Sequence, residues 1–158
     1  MRIRTISPDE WQIWRGLRLN ALREAPYAFA TKLKDWEGEG DTEARWRARL
    51  RELTFNAIAE VDGVPSGMVG GMELGNEVEL LNLWVAPHAR GQGLSDALVE
   101  AVIAWARSRR AEEVSLGVWA GNDHAFDLYR RHGFVDVEPI RGDASNGPRK
   151  HQMVLRRL

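Results

Sequence analysis

The chain has 158 residues, 44% of them hydrophobic and 28% charged, with a formal net charge of −1. These values fit one domain over residues 1–158 that buries its own core, and they exclude a global field drawing the protein to nucleic acid or anionic lipid. The absence of cysteine excludes disulfides, cysteine nucleophiles and Cys-rich zinc sites.

The start, Met1-Arg2-Ile3-Arg4-Thr5-Ile6, lacks the apolar segment and small-residue cleavage site of a signal peptide. No apolar run approaches the ~20 residues of a membrane span. A cytoplasmic protein with no membrane partner is the expectation. Arg2 to Ser7 alternates polar and apolar, as a half-buried strand does. Ser7-Pro8-Asp9-Glu10 then reads as a helix start, with serine at the N-cap, proline in the first helical position and acids in the first turn. Trp11, Trp14, Leu17 or Arg18 and Leu22 carry helical spacing to about Glu24, and Pro26 ends it. Pro26 to Gly40 is irregular and rich in aromatics. Thr42 caps a second predicted helix in which Trp46, Leu50 and Leu53 recur at i, i+4 and i+7.

From Thr54 the period changes. Phe55 to Val61 reads as a strand, Asp62-Gly63 as a hairpin turn, Ser66 to Leu74 as a second strand, and Glu77 to Ala86 as a third after Gly75-Asn76. That is an antiparallel meander. Gly91 to Arg110 is a helix with Leu94, Leu98, Ala101, Val102 and Trp105 on one stripe. A strand over Val114 to Trp119, a helix over Asp123 to His132 and a strand over Phe134 to Ile140 follow, and Gln152 to Arg157 closes the sheet. The order β-α-α-β-β-β-α-β-α-β-β is α+β, and the helix from Gly91 should join two parallel strands.

The most informative segment is Leu83-Trp84-Val85-Ala86-Pro87-His88-Ala89-Arg90-Gly91-Gln92-Gly93-Leu94-Ser95. A strand runs into a glycine turn that opens a long helix. Amides at a helix start lack internal partners and sit at the positive end of the dipole. Gly91 and Gly93 allow close approach to that backbone, Ser95 keeps the first turn uncluttered, and Arg90 adds a cation. Together they suit a diphosphate. The dinucleotide fingerprint fails because four residues follow the strand and the third glycine is missing. The Walker motif fails because no Gly-Lys pair exists.

Arg90-Gly91-Gln92-Gly93-Leu94-Ser95 resembles the R/Q-x-x-G-x-G/A pyrophosphate motif of the GNAT superfamily of N-acetyltransferases. Leu83 to Pro87 is similar to the end of that family's fourth strand. Asn122-Asp123-His124-Ala125-Phe126-Asp127-Leu128-Tyr129-Arg130-Arg131-His132-Gly133-Phe134 resembles its second signature, N-x-x-A-x-x-L-Y-x-x-x-G-F. Ser95 departs from the family's usual Gly or Ala. The resemblance implies an α+β fold with a mixed, mostly antiparallel seven-stranded sheet flanked by about four helices. It implies acetyl-CoA as cosubstrate, no metal, and direct attack by a primary amine in a ternary complex.

In such proteins the backbone of Leu83, Trp84 and Val85 holds the pantetheine arm and the amides from Arg90 through Gly91, Gln92, Gly93 and Leu94 to Ser95 hold the pyrophosphate. Asn122 contacts the cofactor near its thioester end, or only caps the helix that follows. Tyr129 gives a proton to the departing thiolate, or only packs. An amine also needs a base, since about one alkylamine in a thousand is neutral at pH 7. Glu77 and Glu79 lie two apart, hence on one strand face, and relatives place a catalytic glutamate at either position; others use ordered water.

Acceptor specificity in the family resides around the first two helices and the last strand pair. Tyr27, Phe29 and Trp36 offer aromatic walls there for a bound ammonium. The expected partner is a small-molecule or peptide amine: a small amine, an amino acid, an aminoglycoside or a peptide amino terminus. A homodimer is left open. The rival readings are an acyl-CoA-binding sensor without turnover and an acetylator of aminoacyl-tRNA, against which the near-neutral charge argues.

Overall fold

A computed structural model describes residues 1–24, 32–139, 150–156 and 158. Seven strands form one sheet: β1 (Arg2–Thr5), β2 (Phe55–Val61), β3 (Val64–Leu74), β4 (Glu77–Val85), β5 (Glu113–Trp119), β6 (Val135–Pro139) and β7 (Lys150–Leu155). Among the described residues there are four α-helices: α1 (Trp11–Glu24), α2 (Glu43–Glu52), α3 (Leu94–Ser108) and α4 (Asp123–Arg131). The spatial order is β1-β2-β3-β4-β5-β7-β6. Neighbours run antiparallel except β4 and β5, which are parallel, as a crossover through α3 requires. No helix among the described residues is long and apolar enough to cross a membrane.

Local chemistry sets most boundaries. Asp62 and Gly63 both take positive φ, 51° and 78°, in the two-residue turn between Val61 and Val64, the conformation that matches strand twist in a hairpin. The first predicted helix is divided, with a 3-10 turn at Pro8–Glu10 before α1. Glu10 reaches back to the Ser7 amide at 3.4 Å. The helix expected from Gly91 instead starts at Leu94, because Gly91 and Gly93 are left-handed and cannot belong to it. Thr42 Oγ1 accepts from the Arg45 amide at 3.2 Å and caps α2 as expected.

Strand alternation divides the interior into two cores. Ala57, Ala59, Val69, Val78 and Leu80 pack with Leu98, Val102 and Ala106 of α3 and with Phe126 and Tyr129 of α4. Ile58, Met68 and Trp84 pack with Trp14 and Leu22 of α1 and with Trp46 and Leu50 of α2. The helices thus cover opposite faces. On the α3 face the backbone comes very close: a Cβ on Gly71 would meet the Trp105 ring at 2.9 Å. α1 and α2 are tied by Asp41, whose Oδ1 accepts from Arg15 Nε at 2.7 Å and from Trp46 Nε1 at 2.8 Å.

Candidate active site

The central feature is a gap between two strands of the sheet. β4 and β5 pair only over Glu77–Glu79 and Glu113–Ser115. Beyond that point they part, and Leu80 to Val85 face Leu116 to Trp119 across a cleft of about 480 Å³. The cause lies in β4. Asn82 takes φ 59°, and the register with β3 slips by one residue between Met68 and Gly70. A bulge of this kind bends and twists the strand that carries it. Asparagine is among the few residues that tolerate the left-handed region. The strands therefore expose unpaired backbone groups to the cleft, a place for an extended ligand to add itself as a strand.

The glycine turn closes one end. After β4 a 3-10 turn at Pro87–Ala89 leads to Gly91 and Gly93, with φ 79° and 83°. The first helical bond of α3 runs from the Ala97 amide to the Gly93 carbonyl at 3.1 Å, so the Leu94, Ser95 and Asp96 amides precede any internal partner. A Cβ built on Gly91 or Gly93 meets nothing within 4 Å. The turn is therefore open on its outer side and would be filled by a side chain there. A diphosphate fits this arrangement of free amides, open space and positive helix end.

The structure brings most of the expected residues to this one cleft. Leu83, Trp84, Val85, Arg90, Gly91, Gly93, Leu94 and Ser95 line it, and so do Asn122, Tyr129 and Glu79. Gln92 is exposed and is not part of the lining. Trp84 contributes backbone rather than ring, because its indole is buried in the α1–α2 core and donates to Glu24 Oε2 at 2.9 Å. Arg90 is held as well: its Nε donates to the Val85 carbonyl at 3.1 Å and its Nη2 to Glu24 Oε1 at 2.9 Å. Those hydrogen bonds, Trp84's first and then Arg90's, hold the Glu24 carboxyl below its usual pKa against the effect of burial.

On the far side, Asn122 Oδ1 accepts from the Ala125 amide at 3.2 Å and caps α4. Tyr129 is 8% exposed and lies edge-on to Phe134 at 5.8 Å. Burial pushes its phenol above the usual pKa, so it is protonated at neutral pH. Asp96 in the first turn of α3 joins His132 Nε2 at 2.7 Å and Arg131 Nη2 at 3.1 Å, tying the cradle helix to α4.

The two glutamates of β4 have different surroundings. Glu79 follows Val78 and precedes Leu80, both in the α3 core, so alternation turns it toward the α1–α2 face, and it lines the cleft. Tyr129 belongs to the α3 core. The two therefore approach the strand gap from opposite faces. Glu77 does not line the cleft. A hydrogen bond with Glu113, burial and the charges of Glu113 and Glu79 push its carboxyl above the usual pKa.

Of the aromatic walls expected for the acceptor, Tyr27 and Phe29 lie outside the described residues. Trp36 is buried at 7% exposure, tilted against Trp46 with ring centroids 4.3 Å apart. The cation over its face is Arg45, 3.8 Å from the ring centroid, and Trp36 is not part of the cleft lining. The lining residues without a counterpart among the expected ones include Arg18 of α1 and Arg49 of α2. Their signal was present in the chain. Arg18 follows Trp11 and Trp14 on the apolar stripe of its helix, and Arg49 sits three residues after Trp46 on its own. Among the described residues no group of three or more His, Cys, Asp or Glu could hold a metal ion.

Residues 18–134 match the model of the acetyltransferase (GNAT) family. The chain is 32% identical over 150 residues to an uncharacterized N-acetyltransferase of Methanocaldococcus jannaschii, a match covering 89% of this chain and 63% of that protein. It spans less than two thirds of the length of that curated relative. The fold is shared with a ribosomal-protein-alanine N-acetyltransferase from Brucella melitensis, at a TM-score of 0.78, 21% identity, and coverage of 98% and 99%. It is also shared with the PaiA N-acetyltransferase from Thermoplasma acidophilum in complex with coenzyme A, at a TM-score of 0.73, 16% identity, and 96% coverage of both chains. Parted parallel strands, a left-handed glycine turn at the head of α3 and a match across most of its length agree: this chain belongs to the GNAT acetyltransferase family.

Proposed function

We propose that the chain transfers an acetyl group from acetyl-coenzyme A to an amine. One observation carries this reading: a single cleft joins unpaired strand edges, an open glycine cradle, a carboxylate on one face and a buried phenol on the other. The coenzyme A bound in the Thermoplasma relative and the N-acetyl transfer for which the other relatives are named support it.

The amides of Leu94, Ser95 and Asp96 and the helix dipole bind the pyrophosphate. The unpaired backbone of Leu83 to Val85 pairs with the amide groups of the pantetheine arm. Bound there, the thioester supplies an electrophilic carbonyl and a thiolate leaving group. Glu79 accepts a proton from the acceptor ammonium, directly or through one water, and makes the nitrogen nucleophilic. General-base help of this kind is worth about 10²- to 10⁴-fold. Tyr129, kept neutral by burial, gives its proton to the departing sulfur. Asn122 holds the start of α4 and so the approach of Tyr129 to the gap.

The test is release of coenzyme A thiol from acetyl-CoA, followed with a thiol-reactive dye over a broad amine panel. The chain has no cysteine, so the protein adds no thiol signal. Amine-dependent release supports the reading. Binding of acetyl-CoA without release from any acceptor replaces it with an acyl-CoA sensor.

A further inference from the structure

Asn82 is the extra residue of the β4 bulge. Leu81 packs with the α1–α2 core and Leu83 with the α3 core, whereas strict alternation would send both to one face. The φ of 59° at Asn82 is a conformation that glycine adopts without steric cost, and glycine is the usual occupant of a bulge residue in that region. The chain places a side chain there instead, at a cost to the backbone. Holding the bulge does not by itself call for a carboxamide.

That carboxamide lies on the face that Glu79 occupies. A Cβ built on Gly70 of β3 would meet Leu53 Cδ1 at 3.3 Å and Asn82 Nδ2 at 3.6 Å, and Leu53 belongs to the α1–α2 core. The missing side chain of Gly70 therefore leaves the room that the Asn82 amide takes. Asn82 is half-buried and lines the cleft with Glu79. Among the described residues its side chain has no hydrogen-bond partner. Glu79 stands three residues earlier, at most about 10 Å along the strand.

We propose that the Asn82 carboxamide oxygen accepts an N–H of the acceptor amine and so fixes its nitrogen between Glu79 and the thioester. This rests on the acetyl-transfer reading above and adds a substrate-positioning contact to it. With the pyrophosphate at the glycine turn and the pantetheine arm along Leu83 to Val85, the acetyl end of the cofactor reaches β4 at its bulge. An ammonium offers donors only, so the cleft that binds one must supply acceptors. Ser95 and Asp96 of the lining stand at the cradle, and the Asn122 oxygen is spent on capping α4. Glu79 removes one proton, and Asn82 keeps its hydrogen bond to the neutral amine that remains. The asparagine itself exchanges no proton. The nitrogen lone pair forms the bond to the acetyl carbon, the C–S bond breaks with its electrons on sulfur, and Tyr129 protonates that sulfur.

Glycine at position 82 separates the chemical role from the backbone role, because it keeps the left-handed conformation and removes the carboxamide. The experiment offers benzylamine, glycinamide, alanyl-alanine and spermidine to the parent, and takes the amine with the highest kcat/KM to the variants. Asn82→Gly should lower kcat/KM for that amine by about tenfold to hundredfold, the range of a hydrogen bond to a charged group. Its affinity for acetyl-CoA should be unchanged, and its thermal midpoint no lower than the parent's. Asn82→Asp, which tolerates the same backbone and retains an acceptor oxygen, should lose less than Asn82→Gly. Full activity in Asn82→Gly would overturn the contact and leave Asn82 a bulge residue, with acetyl transfer still standing. So would a loss that falls on acetyl-CoA binding, or an equal or larger loss in Asn82→Asp. Thiol release by the parent with none of these amines would instead overturn the transfer reading, and the contact with it.

Discussion

Arg90 and Glu24 join the mouth of the cradle to the end of α1, with Nη2 2.9 Å from Oε1. The other carboxylate oxygen takes the Trp84 indole N–H at 2.9 Å. One side chain therefore holds both the arginine of the glycine turn and the buried tryptophan of β4. Glu24→Ala leaves the Trp84 donor, itself only 7% exposed, without this acceptor, and an unmet buried donor costs about 1–3 kcal/mol. Glu24→Gln retains an acceptor for the indole and should lose less. Thermal unfolding of the two variants beside the parent checks the order, and equal losses would show that the hydrogen bond to Trp84 contributes nothing.

Glu77 and Glu79 separate by experiment as they do by position. Glu79→Gln should lower kcat by about 10²-fold or more and remove the acidic limb of the pH–rate profile. Glu77→Gln should leave that profile in place. It should also stabilise the protein at neutral pH. The folded state raises the Glu77 pKa, so the stability it costs is fully present above that folded value and is relieved as pH falls through it. Thermal midpoints at neutral and at acidic pH, with and without Glu77→Gln, should therefore converge on acidification.

Tyr129→Phe removes one hydroxyl and keeps the ring against Phe134. Turnover should fall by about 10²-fold with acetyl-CoA affinity retained, because the role proposed for the phenol is at the leaving group rather than in binding. Single-turnover kinetics on the variant checks this, and full activity would make Tyr129 a packing residue.

Asp41 gives the fold an acid-sensitive tie. Hydrogen bonds from Arg15 and Trp46 lower its pKa to about 2. A depressed folded-state value means that its contribution is fully present above the unfolded carboxylate pKa of about 3.9. The contribution is lost as pH falls from there through about 2. Asp41→Asn should lower the thermal midpoint by a few degrees at pH 7, and the difference from the parent should shrink across that acidic window.

Much of this was legible in the chain because the deciding chemistry is local. Gly91 and Gly93 could be read as a turn open to a ligand because they lack a Cβ, although their left-handed backbone, which moves the helix start to Leu94, shows only in the structure; Asp62-Gly63 could be read as a hairpin turn. Asn122 was legible as a cap, and the parallel pairing of β4 and β5 followed from the crossover helix between them. What escaped is set by contacts far apart in sequence. The parting of β4 from β5 depends on Asn82 adopting positive φ against β3, which its neighbours in sequence do not announce. Trp36 reads as an exposed wall until Trp46 and Arg45 of α2 cover it. Glu77 and Glu79 are indistinguishable on one strand face, and they are separated by Glu113 on the neighbouring strand, beside Glu77, and by the cleft, which Glu79 lines. Arg18 was visible as a charge on an apolar stripe, yet its place in the cleft lining appears only in the fold.

The cradle is the feature on which the rest depends, and Gly93→Val tests it most directly. Gly93 sits at φ 83° with open space where a Cβ would be, so valine there both strains the backbone and fills the ground a phosphate needs. Calorimetric titration with acetyl-CoA should show saturable binding to the parent protein and at least about a hundredfold loss in the variant, with circular dichroism confirming that the variant is folded. Unchanged affinity in a folded Gly93→Val protein, or no binding to the parent, would contradict the assignment of this cleft to acetyl-coenzyme A.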